Sequence, residues 1–230
     1  MKIKTSALLC FGLACCFTGL HAQTKKIDTI YRPKTYDVQV RQFEIYPNSP
    51  NDVIFLGNSI TSRAQWNELL GLPTARNRGI SGDTTFGILE RLHEVTEGYP
   101  AQIFLLIGIN DISRNVPDAI ILRNYETIID RIQKESPNTR LVVQTLLPVN
   151  SDFGEYERHY HKDEHIANVN VGIRELAKKY SLTLIDLHPL FLDGSGKLKA
   201  EYTDEGLHLN EKGYIHWASI LRSFVVKGKE

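Results

Sequence analysis

The sequence predicts an α/β domain built on a parallel sheet of five strands, with helices on both faces. Three observations carry this. Short apolar runs alternate with longer stretches of helical periodicity, the pattern of parallel strands joined by helical crossovers. Three of these runs end in glycine turns that open into a helix. No internal repeat, low-complexity block or interdomain linker interrupts the chain.

Residues 1–22 read as a secretory signal peptide. Lys2 and Lys4 precede the apolar run Ala7–Phe17, and His21-Ala22 is a small-residue exit. That run is short for a membrane span and the others are shorter, so the expected product is soluble and exported, periplasmic or secreted. All three cysteines, Cys10, Cys15 and Cys16, fall in this leader. Disulfides, thiolate metal sites and thiol nucleophiles are thereby excluded from the mature chain. Acylation of Cys16 as a lipoprotein is the less favoured alternative, because Cys15 is a poor residue before a cleavage point. The whole chain balances 27 basic against 27 acidic residues and shows no basic stripe, which argues against nucleic acid as a partner.

Residues 23–50 form an N-terminal extension. Gln23–Lys34 is polar and extended, and Tyr36–Tyr46 spaces its apolar residues as a first helix before Pro47. The main domain is expected over residues 51–230. Val53–Leu56 is the first strand, turned at Gly57-Asn58, with helical character over Ile60–Leu70. A second strand near Thr74–Arg78 ends in Gly79-Ile80-Ser81-Gly82-Asp83 and opens a helix over Thr84–Thr96. The unbroken apolar run Ile103–Ile107 predicts a strand buried on both faces, ending at Gly108-Ile109-Asn110-Asp111. Asp118–Lys134 places Ile121, Tyr125, Ile128, Ile129 and Ile132 on one helix face. Leu141–Leu147 is the fourth strand, and Asp152–Lys162 a charged surface loop. Ile166–Tyr180 is a helix, Leu182–Ile185 the fifth strand, Phe191–Tyr202 a loop, and Asn210–Lys227 a closing helix.

Parallel topology puts the three glycine turns at one sheet edge, where open α/β sheets bind ligands. Each delivers a different polar group. Ser59 is a candidate nucleophile, held where helix-end N–H groups stabilise negative charge. Its own N–H, the N–H of Gly82 and the side-chain amide of Asn110 can form an oxyanion hole. A serine hydroxyl needs a base. His208, in a loop before the last helix, is the best candidate, and Glu205 can orient its imidazole from the same turn.

In FLGNSIT (55–61), GISGDTT (79–85), GIND (108–111) and EGLHLN (205–210), the chain resembles the SGNH, or GDSL-type, hydrolases, in particular the platelet-activating-factor acetylhydrolase subunits and the bacterial thioesterase/lysophospholipase branch. The four blocks come in the family's order and span most of the chain. The resemblance implies a flavodoxin-like three-layer α/β/α sandwich and no metal or cofactor. It implies Ser59 as nucleophile, His208 as base, and Ser59, Gly82 and Asn110 as oxyanion donors. Two departures stand out. Asn58 replaces the usual aspartate before the serine. Glu205 stands where the family has the aspartate of Asp-x-x-His, with Asp204 beside it; spacing favours Glu205.

Other residues read structurally. Asp83 and Asp111 are expected to cap helices and brace turns. His159, His161 and His165 suggest a metal site, but a solvated loop and helix start account for them better. His93 reads as a helix-face residue, and His188 as a reserve base. Short polar loops and export favour small acyl groups, acetyl foremost, on a carbohydrate or other soluble alcohol. The alternatives are a lysophospholipase or acyl thioesterase, or a non-catalytic binding module, which the presence of Ser59, Gly82, Asn110 and His208 argues against.

Overall fold

The computed structural model describes residues 28–226; the expected signal peptide, the three cysteines, residues 23–27 and Lys227 lie outside them. Five strands form one all-parallel sheet: β1 (Val53–Gly57), β2 (Ala75–Gly79), β3 (Gln102–Leu106), β4 (Arg140–Gln144) and β5 (Thr183–Ile185). Their order is β2-β1-β3-β4-β5. The chain therefore steps to one side of β1 and then reverses to the other. The carboxyl ends of β1 and β3 flank that switch point, where such sheets leave a crevice.

Nine helices accompany the strands among the described residues: α1 (Tyr36–Glu44), α2 (Ser59–Ser62), α3 (Trp66–Leu70), α4 (Thr85–Thr96), α5 (Ile109–Ser113), α6 (Asp118–Glu135), α7 (Asp163–Lys179), α8 (His188–Phe191) and α9 (Glu211–Leu221). Helices α4, α6 and α7 pack side by side, and α3 against α9. The two central strands are buried along their whole length, as their unbroken apolar runs require. Phe55 of β1 stacks on Phe104 of β3 at 4.9 Å and on Trp66 at 4.3 Å, and Trp217 meets Trp66 edge-on at 4.8 Å. This aromatic column ties α3 and α9 to the centre of the sheet.

Three of the expected elements are cut short, each for a local reason. The helix expected over Ile60–Leu70 is two short ones. Asn77 Nδ2 takes the freed carbonyls of Thr61, Ser62 and Ala64, and Trp66 Nε1 also donates to Thr61. These bonds stabilise a bend that periodicity does not reveal. β4 stops at Gln144. Beyond it the Asn170 amide accepts from Leu146 N–H at 2.7 Å and donates to Leu146 C=O at 3.0 Å, a side chain standing in for a neighbouring strand. The closing helix ends at Leu221, and the chain beyond it is held by the Gln102 side chain, which donates to Phe224 C=O at 2.8 Å and accepts from Val226 N–H at 2.9 Å. Within the expected loop 191–202, Leu192 and Leu198 form a bridge and Ala200–Tyr202 a helical turn.

A buried ionic network fastens α4 to β2. Arg91 Nε donates to Asp83 at 3.0 Å, Nη1 to Glu94 at 2.9 Å and Nη2 to the Arg78 carbonyl at 2.8 Å. Arg78 returns to Glu94 at 3.1 Å. Burial holds both carboxyls above their ordinary range, against the opposing pull of the Arg91 guanidinium. Replacing Arg91 with leucine leaves the buried Asp83 carboxylate without a cation and Glu94 with Arg78 alone. The expected loss is about 3–5 kcal/mol of stability, read as a lower urea midpoint.

Candidate active site

Ser59 opens α2 directly after β1. Gly57 is required there: a Cβ would run into the Thr61 hydroxyl and the Leu106 carbonyl. Asn58 caps α2, its Oδ1 accepting from Ile60 N–H at 3.0 Å. The carboxylate expected at this position is therefore replaced by an amide that still caps the helix.

The Ser59 hydroxyl sits 2.9 Å from His208 Nε2, although 149 residues separate them. His208 Nδ1 meets both carboxylate oxygens of Glu205, at 2.7 and 2.8 Å. A carboxylate only accepts, so Nδ1 carries the proton and Nε2 is left to accept from Ser59. Burial lowers the His208 pKa from its ordinary value, opposed by the adjacent Glu205. The imidazole is thus neutral and able to take a proton at neutral pH. Burial raises the Glu205 carboxyl, but hydrogen bonds from the His208 backbone and ring and from Tyr156 outweigh it and hold it below the usual range.

The loop carrying this pair is built as a turn. Thr203 Oγ1 donates to the His208 carbonyl at 2.6 Å and accepts from Gly206 N–H at 2.8 Å. Gly206 has φ +84°, and a Cβ there would strike the Asn150 carbonyl. Tyr160 OH donates to the Glu205 carbonyl at 2.6 Å. Asp204 turns away and accepts from Asn210 Nδ2 at 3.2 Å. Of the two adjacent carboxylates, Glu205 is the one at the imidazole.

Opposite lie the candidate donors. Gly82 adopts φ +82°, and no hydrogen bond among the described residues occupies its N–H or that of Ser59. Asn110 Nδ2 donates to the Asp83 carbonyl at 2.9 Å, which leaves its second N–H for the cleft. Asp111 accepts from Thr85 N–H and, at 2.6 Å, from its hydroxyl; burial pushes this carboxyl up to about 7. Asp83 and Asp111 thus brace the turns. Ser59, Gly82, Asn110 and His208 line one cleft of about 270 Å³.

Two wall elements were not legible in the sequence. The segment expected as a solvated loop carries two helical turns, Ser151–Phe153 and Glu157–His159. It lays the Tyr156 ring edge-on against His208 at 5.2 Å. His159 is buried, and its Nε2 lies 3.1 Å from Asn110 Oδ1. An amide oxygen only accepts, so His159 donates and fixes which way the Asn110 amide faces. Burial, with Arg158 next, pushes the His159 pKa down to about 4. The expectation of a solvated His159 is corrected, because Tyr160 anchors the loop in the core. His161 stays exposed and His165 pairs with Asp118 on the surface. Aromatics flanking His159 in a charged stretch were the available signal. The second wall element is Tyr31, from the extension. His188, the reserve base, instead faces the Leu146 carbonyl at 3.0 Å, and His93 pairs with Glu44 on the surface of α4.

This sheet, with a serine, an imidazole and a carboxylate in series at its edge, defines the class: the protein is a carboxylic ester hydrolase. The chain belongs to the GDSL-like lipase/acylhydrolase family, whose model matches residues 55–215. It is 26% identical over 182 residues to the rat (Rattus norvegicus) platelet-activating factor acetylhydrolase IB subunit alpha2, covering 76% of each chain. A solved Streptococcus pneumoniae structure, described as a platelet activating factor, is 33% identical with a TM-score of 0.73, covering 83% of this chain and 91% of that one. The acetyl xylan esterase AlAXEase shares the fold at 23% identity and a TM-score of 0.65, covering 76% of this chain and 100% of that one.

With His208 held below its ordinary pKa, the acid limb of kcat/KM on 4-nitrophenyl acetate is expected below pH 6.5. Glu205→Gln removes the group that raises His208, so the limb moves further acid while kcat falls about 10³–10⁴-fold. His159→Leu frees the Asn110 amide to turn. It is expected to cost about tenfold in kcat with KM little changed, less than the roughly 10²–10³ lost in Asn110→Ala.

Proposed function

We propose that the protein is a serine esterase that removes short acyl groups, acetyl foremost, from a carbohydrate or other soluble alcohol outside the cytoplasm. Ser59 attacks the ester carbonyl while His208 Nε2 takes its proton. The developing oxyanion is held by the N–H groups of Ser59 and Gly82 and the side-chain N–H of Asn110. His208 then protonates the leaving alcohol. Water, deprotonated by the same imidazole, releases the acid from Ser59. Glu205 keeps the imidazole in the right tautomer and stabilises its charged form.

The observation that carries the acyl preference is an apolar space of about 10 Å³ that shares Leu207 with the cleft and is walled by Ile60, Ile109 and Leu146 among others. Ile60, Ile109 and Leu207 are the chain neighbours of Ser59, Asn110 and His208. A volume of one water-sized probe fits a methyl group and little more. The leader-like start of the sequence supports action outside the cytoplasm, and the likeness to an acetyl xylan esterase supports a carbohydrate alcohol. The long-chain alternative, a lysophospholipase or thioesterase, draws on one feature, an apolar groove beyond Arg63 formed by Ala64, Leu69, Tyr214 and Ile215.

A fluorophosphonate probe is expected to label wild type and not Ser59→Ala, which is expected to retain its fold and lose ester turnover. Rates on 4-nitrophenyl esters are expected to fall steeply from acetyl to octanoyl; a steep rise instead would establish the long-chain alternative. Leu207→Ala enlarges the acyl space. It is expected to raise the butyryl-to-acetyl ratio of kcat/KM by about 10-fold or more, the discrimination typical of one or two methylenes.

A further inference from the structure

The cleft wall carries charge that ester hydrolysis by itself does not use. The chain as a whole is neutral, with 27 basic and 27 acidic residues. Yet the cleft is lined by Arg63, Arg114 and Arg158 and by no aspartate or glutamate. Arg63 is partly compensated, since its guanidinium lies 3.9 Å from Glu205 behind the imidazole. Arg114 and Arg158 are not. Among the described residues neither has a carboxylate within ion-pair distance, whereas Arg32, Arg76, Arg91, Arg131 and Arg174 each do. Glu155 and Glu157 flank Arg158 on the groove outside the cleft and do not pair with it. Arg114 is also held in place: it closes α5, and its guanidinium lies over the face of the Tyr31 ring.

Resting on the esterase reading of Ser59, we propose that the cleft selects esters whose alcohol portion carries an oxyanion, a carboxylate or a phosphate, bound by Arg114 and Arg158. A guanidinium ordered on an aromatic face keeps its donors pointed outward and loses little freedom on binding. Fork-shaped donors match the paired oxygens of either anion, and unpaired cations at a cleft mouth concentrate such ligands. An acetylated acidic sugar and an acylated alcohol phosphate both meet this description.

A matched series tests it: 4-acetoxybenzoate, 4-acetoxyphenyl phosphate and neutral 4-acetoxybenzamide, read by acetate release. The anion-to-neutral ratio of kcat/KM is expected to fall about tenfold in the Arg114→Gln/Arg158→Gln double variant, and to shrink with added salt in wild type. Whichever anion loses more identifies the preferred group. Arg123→Gln, exposed on α6 and outside the cleft, should leave the ratio unchanged. If all three esters lose equally, the arginines serve the reaction rather than the substrate's charge, and the proposal is overturned. A binding arm is independent of turnover. Calorimetry on Ser59→Ala is expected to show 4-acetoxybenzoate binding about tenfold tighter than the benzamide, a difference lost when both arginines are replaced. Equal binding overturns the proposal even if hydrolysis stands. Absence of hydrolysis in wild type, with differential binding intact, overturns the esterase reading instead.

Discussion

The geometry of the site depends on a cross-brace between two turns of different strands. Asn110 Nδ2 donates to the Asp83 carbonyl, and the next residue, Asp111, accepts from the backbone and hydroxyl of Thr85. The third glycine turn is thereby bolted to the second. Both turns line the same cleft, so any relative movement would change its shape. Asp83 is in turn clamped by Arg91, which also grips Glu94 and the backbone of β2. Buried ion pairs add little net stability over an apolar substitute, but they admit few arrangements, and here they fix the position of a turn. Electrostatic stabilisation of a transition state depends on donors that need no reorganisation when charge develops. The charged network holds the turn that carries Gly82 and Asp83 against such reorganisation.

The opposite wall is organised on a different principle. His208 and Glu205 come from one short loop, and the loop's own hydrogen bonds set their separation. Thr203 bridges its two ends, and Tyr160 and Asn150 hold it from outside. Glutamate in place of aspartate is absorbed because its longer side chain curls back onto the His208 backbone N–H as well as the ring. Burial makes the imidazole a weaker base and Glu205 a stronger counter-charge for its protonated form. The two effects oppose each other, and burial prevails, so the imidazole stays below its ordinary pKa.

What distinguishes this cleft from its fold is in the segments laid across it. The family defines the sheet and the order of the blocks; it does not define the walls. Tyr31, Tyr156, Arg114, Arg158 and His159 come from the extension, from the end of α5 and from the turns before α7. They make the cleft polar, cationic and open, and Leu207 is shared between its lining and a small apolar recess.

The sequence by itself carried the five parallel strands and pointed to Ser59, Gly82, Asn110 and His208, which the fold brings to one cleft. It could do so because strand and turn signals are local: apolar run, glycine, polar residue, helix. The pairing of Glu205, rather than Asp204, with His208 was favoured by spacing, and the direction of the side chains decided it. Only the tertiary structure revealed His159 against Asn110, Asn170 standing in for a strand, the stacking of Arg114 on Tyr31 and the break at residues 63–65. Each joins residues distant in the chain through a side chain, and nothing in the local pattern of a histidine, an asparagine or an arginine says which backbone or ring it will meet.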